Sequence, residues 1–194
     1  MPPPEAWFSG WLRWLVVAVF DRDAPLAHQV DYRLMANTFV TLFWRRGILE
    51  ETIDWLLAHG YEVVRWDASG WMTEDDLHRD FAQALDFPAY YGRNLDALND
   101  CLDDVASGDY GVSSEATGLV LVLIGYDRFA ARCPEVAQRV LDIIARNARS
   151  AILVGHRMFC LVQSDDPGIV FQSVGATAVA WNDAEWLDAN RRVR

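Results

Sequence analysis

Two hydrophobic periods take turns along the chain. Unbroken runs of aliphatic, β-branched and aromatic residues occur at "RWLVVAVFDRD" (13–23), "TFVTLFW" (38–44), "YEVVRWDA" (61–68) and "TGLVLVLIGYDRF" (117–129). Between the later runs, apolar residues return every three or four positions. They are Ile48, Ile53, Leu56 and Leu57 in "GILEETIDWLLAHG", and Leu77, Phe81, Ala84 and Leu85 in "TEDDLHRDFAQALDF". They continue as Leu95, Leu98, Leu102 and Val105 in "LDALNDCLDDVAS". Runs of the first kind predict buried strands and the second kind amphipathic helices. A further helix is predicted at "PEVAQRVLDIIARNARS" (134–150), with Pro134 in its first turn.

Local signals set the boundaries. Gly60 stops one helix, Thr73 and Asp76 stand at capping-box spacing before the next, Pro88 closes it, and Asn94 is a good N-cap for the third. "AYYGR" (89–93) then reads as a turn around Gly92. Residues 24–37 have no clean period and read as a connection or a short edge strand. Near the C-terminus, "FCLVQSD" reads as a strand and "ATAVAW" as a final one, while "AILVG" fits either a strand or an extension of the preceding helix. Strands alternating with helices predict an α/β fold with a small, mainly parallel sheet packed with helices. The stretch "TGLVLVLIGYDRF", uncharged over at least its first nine residues, belongs at the sheet's buried centre.

Composition narrows the function classes. With 194 residues and 52% hydrophobic positions the chain can bury a substantial core as one domain. A formal charge of -11 argues against direct nucleic-acid binding, which needs Lys and Arg for the phosphates. The run 11–20 is too short to span a bilayer, so a cytoplasmic protein without membrane contact is expected. Cys101, Cys133 and Cys160 lack metal-ligand spacing and predict buried free thiols in a reducing compartment. His28, His59, His78 and His156 are scattered and predict surface or helix-end positions.

The charge is concentrated. Residues 74–109 carry ten acids against Arg79 and Arg93, a net -8. Asp96, Asp100 and Asp104 fall at i, i+4 and i+8, where each like-charge pair costs a helix about 0.2–0.5 kcal/mol. A solvated face, a divalent-metal site, a catalytic carboxylate pair and a surface for a cationic partner are the available explanations. The metal and catalytic readings lack further carboxylates at a fitting spacing elsewhere. Tyr90 and Tyr91, just ahead of the acids, supply aromatic area of the kind that anchors interfaces, and Gly92 and Asn94 would let the turn approach a partner closely.

The stretch "LHRDFAQALDFPAYYGRNLDALNDCLDD", and above all "FPAYYGRNLDALNDCL" within it, resembles the signature of the barstar family of barnase-type ribonuclease inhibitors. The order of predicted elements over about 61–165 matches that family as well. The resemblance implies a barstar-like domain over 38–194 after an N-terminal extension, 1–37, with the strand and helix of 38–60 widening the sheet. It also implies a protein that plugs a basic ribonuclease, or a related toxin nuclease, without cofactor, metal or turnover. Tyr90, Asp96 and Asp100 would be the principal contacts, with Gly92, Asn94 and Leu95 lining the loop and Asp100 standing in for a substrate phosphate. Tyr91, Arg93, Asn99 and Asp103 complete the expected surface. Three positions depart from the family pattern: Arg93 replaces an acidic residue, Asn99 an aromatic one, and Arg146 stands where a further acid is expected. A general interaction module on the same fold and, more remotely, a metal-assisted hydrolase using the helix aspartates are the alternatives.

Overall fold

A computed structural model describes residues 30–186. The predicted strand at 13–23 lies outside them. The described chain runs α1 (Val30–Ala36), β1 (Val40–Phe43), α2 (Arg46–Ala58), β2 (Tyr61–Asp67), a 3₁₀ turn (Ala68–Gly70), α3 (Glu74–Ala84), α4 (Leu95–Ser107) and β3 (Gly118–Ile124). It continues through α5 (Tyr126–Arg132), α6 (Pro134–Leu153), β4 (Met158–Gln163), β5 (Ala180–Trp181) and α7 (Asp183–Trp186). The strands form one sheet in the order β2-β3-β4-β1-β5, with every pairing parallel. The expected α/β architecture is therefore present, and β1 with α2 extends it on the N-terminal side.

Side-chain alternation divides the sheet between two cores. Leu119, Leu121 and Leu123 of β3, Met158, Cys160 and Val162 of β4, and Val40 and Leu42 of β1 face the larger one, closed by α3, α4, α5 and α6. Val120, Val122, Ile124, Phe159 and Leu161 face the other side, under Leu49, Ile53 and Leu56 of α2 and Leu34 of α1. Every residue of β3 is buried, as its uncharged sequence requires. Gly118 admits no side chain there, since a Cβ would lie 2.6 Å from the Arg157 carbonyl oxygen.

Several expectations are corrected. Residues 30–36 form a short helix rather than a connection or edge strand. Of the two readings open for "AILVG", the helical one holds, taking α6 to Leu153, whereas the last strand shrinks to Ala180–Trp181, preceded by an isolated bridge between Val174 and Thr177. Cys101 and Cys160 are buried thiols, but Cys133 is only half-buried at the start of α6. His78 is not at the surface at all; it is fully buried inside α3.

Candidate functional site

The acidic segment occupies α4 and the turn that leads into it from α3. Asn94 starts α4 as expected, its Oδ1 accepting the Ala97 N–H at 2.9 Å, and Gly108 ends it in the left-handed conformation that favours glycine. Leu95, Leu98, Leu102 and Val105 anchor the inner face in the larger core. Leu95 was expected to line the contact loop; with 8% of its surface exposed it instead belongs to that core.

The outward stripe differs by one residue from the sequence reading. Asp96, Asp100 and Asp103 are exposed, at spacings of four and three that keep them on one helical face. Asp104 is half-buried and accepts a hydrogen bond from the Tyr110 hydroxyl at 3.2 Å. Among the described residues the side chains of Asp96, Asp100 and Asp103 form no hydrogen bond or ion pair. Three like charges are thus presented to solvent without internal compensation.

The turn is built on a buried histidine. Tyr91 N–H donates to the Pro88 carbonyl at 2.9 Å, and the Tyr91 ring meets Phe87 edge-on at 4.9 Å. The Tyr91 hydroxyl shares a 2.5 Å hydrogen bond with Nδ1 of His78, whose Nε2 lies 3.0 Å from Glu74 Oε1. Burial raises the Tyr91 phenol well above its ordinary pKa, so it remains a neutral hydroxyl. Tyr90, one residue earlier, is 82% exposed. The two tyrosines therefore divide the work, with Tyr91 fastening the turn and Tyr90 left as free aromatic surface. His78 and Glu74 are supporting residues that spacing did not reveal. The available signal was that His78 follows Leu77 directly and lies three residues before Phe81, beside the apolar stripe.

The bend sits elsewhere than glycine would suggest. Arg93 has φ 50°, whereas Gly92 keeps an ordinary backbone conformation. Asn94 fixes this geometry from the following position, since its Nδ2 also donates to the Gly92 carbonyl at 3.3 Å. Gly92, Arg93 and Asn94 are all exposed. Asn99 is half-buried, and its Oδ1 and carbonyl oxygens accept from Asn147 Nδ2 of α6 at 3.3 and 3.5 Å. Arg146, on the neighbouring position of α6, pairs with Asp142, which also accepts the Gly175 N–H at 2.8 Å.

Among the described residues, no group of three or more His, Cys, Asp or Glu side chains is placed to hold a metal ion. No helix among them is long and apolar enough to cross a membrane. A surface cavity of about 710 Å³ lies between the start of α6 and residues 166–172, and no residue of α4 lines it. The acidic site is the exposed face of a helix together with the turn that leads into it.

Residues 61–163 match the family described as Barstar (barnase inhibitor), and the chain belongs to that family. It is also similar to the "Putative ribonuclease inhibitor YrdF" of Bacillus subtilis (strain 168), at 73% identity over 26 residues. That match covers 13% of this chain and 29% of the relative, so it spans less than a third of the relative's length.

Proposed function

We propose that the protein inhibits a basic ribonuclease of the barnase type by occupying its active site with the exposed surface from Tyr90 to Asp103. The observation that carries this reading is the pair Asp96 and Asp100, exposed and without internal partners on a helix whose lead-in is fixed by Tyr91, His78 and Asn94. Carboxylates left unpaired in this way are available to the Arg, Lys and His groups that a ribonuclease uses to hold phosphate. Asp100 takes the place of the phosphate, and the Tyr90 ring offers a face where a nucleotide base would stack. Because the turn is already rigid, little conformational freedom is lost on docking. Occlusion needs neither turnover nor cofactor.

Inhibition of barnase by purified variants, measured over a range of salt, tests the reading. Asp100→Ala is expected to weaken inhibition by about 2 kcal/mol at least, thirtyfold or more; barnase with its own inhibitor is the system from which charge-pair energies of this kind are known. Asp103→Ala, at the rim, should cost no more than about 1 kcal/mol. Wild-type inhibition should weaken as salt rises. Equal effects of the two substitutions would sink the proposal. A second reading, an interaction module for a partner other than a nuclease, draws on Asn99, whose amide is engaged by Asn147 of α6. Failure of the wild-type protein to inhibit any barnase-type enzyme would favour it.

A further inference from the structure

We infer that Arg93 determines which ribonuclease this surface accepts, and that the fitting enzyme carries a carboxylate at the rim of its otherwise cationic cleft, opposite the Tyr90–Arg93 turn. The inference rests on the ribonuclease reading above. Between residues 80 and 127 Arg93 is the only Arg or Lys. It is exposed, three residues before Asp96 and seven before Asp100, yet its side chain forms no hydrogen bond or ion pair with either, or with any other described residue. Arg139 and Arg149 are likewise exposed without a hydrogen bond or ion pair, but several other surface arginines of the same fold find a carboxylate. Arg33 pairs with Asp183, Arg65 with Glu50, Arg79 with Asp76, Arg128 with Asp165 and Arg146 with Asp142.

The backbone gives a second, independent reason. Arg93 occupies the left-handed region at φ 50° while the adjacent Gly92, which could do so without a steric penalty, does not. Local strain of this kind persists only where the surroundings over-determine it. Here they do, because Asn94 holds both the Gly92 carbonyl and the Ala97 N–H, and Tyr91 is fastened to His78. The guanidinium is therefore rooted at a fixed point on the leading edge of an acidic surface. A uniformly basic cleft would be repelled there, whereas a single carboxylate would be met by the planar fork that arginine offers.

The experiment uses barnase as the probe, together with barnase variants in which each exposed basic residue around the active site is changed singly to Glu. Inhibition constants are measured for the wild-type protein, Arg93→Ala and Asp100→Ala. For at least one Glu-bearing enzyme, the wild-type protein should bind tenfold or more tightly than Arg93→Ala does. Against unmodified barnase, Arg93→Ala should bind at least as tightly as wild type. If binding is lost with Asp100→Ala but wild type and Arg93→Ala agree within twofold across the whole panel, the inference about Arg93 fails and the ribonuclease reading stands. If the wild-type protein binds no enzyme of the panel, both fail together.

Discussion

The Tyr91 hydroxyl ends on a fully buried imidazole, while the Tyr90 ring on the preceding residue stands in solvent. Tyr91→Phe leaves His78 Nδ1 buried without its partner, which should destabilise the protein by about 1–3 kcal/mol. Tyr90→Phe removes an exposed hydroxyl and should change stability by no more than about 0.5 kcal/mol. Urea unfolding of the two variants checks this, and equal midpoints would show that the His78 contact is not a fastening. This asymmetry was hidden in the sequence, where "YY" offers two equivalent aromatics and His78 carries no periodic signal of its own. A titratable residue enters a core only when a partner from elsewhere satisfies it. The partner here, Tyr91, lies thirteen residues away across a turn whose path the sequence does not state. Arg93 was obscure for a related reason, because propensity placed the bend at Gly92 whereas the Asn94 contacts place it one residue later.

At the scale of elements, the caps were legible because they are local. Thr73 and Asp76 form the expected capping box at the start of α3, and Asp76 Oδ2 accepts the Met72 N–H at 3.0 Å and the Thr73 N–H at 3.1 Å. The Met72 N–H, an ion pair with Arg79 and the Thr73 N–H hold the Asp76 carboxyl at about 2, below its ordinary value of 3.8. A depressed carboxyl stabilises the fold fully above its unfolded pKa and ceases to do so as pH falls through the folded one. The contribution of Asp76 is therefore complete above pH 3.8 and disappears as pH falls toward about 2. Asp76→Asn should flatten the dependence of stability on pH within that window, as followed by circular dichroism during acid titration. An unchanged slope would remove Asp76 from the account. Elements whose existence depends on distant contacts were less legible. α1 has seven residues and no amphipathic repeat, and β5 has two, so each is defined by the neighbour it packs on or pairs with.

Across the whole molecule, the segments on either side of the matched region 61–163 meet each other. β5 pairs with β1, the Asn182 N–H donates to the Leu42 carbonyl at 2.9 Å, and Arg33 pairs with Asp183 at 2.8 Å. The buried carboxylate of Glu185 accepts the Trp44 and Arg45 N–H groups at 2.8 and 2.7 Å, just ahead of α2. These flanks form one layer, and that layer covers the second core. Without it Val120, Val122, Ile124, Phe159 and Leu161 would lose Leu49, Ile53 and Leu56 and face water. Each fully buried aliphatic or aromatic side chain so exposed forfeits about 1.5–3 kcal/mol, and five of them rival the 5–15 kcal/mol total stability of an ordinary domain. A chain cut to residues 61–163 should therefore fail to reach the native state, although it retains the whole acidic site. Near-ultraviolet circular dichroism and size-exclusion chromatography would show lost tertiary signal or aggregation, while the chain 30–186 should remain monodisperse and native. If the shorter chain folds cooperatively and inhibits barnase as well as the longer one, the flanking layer is dispensable and must be explained by something other than cover for the sheet.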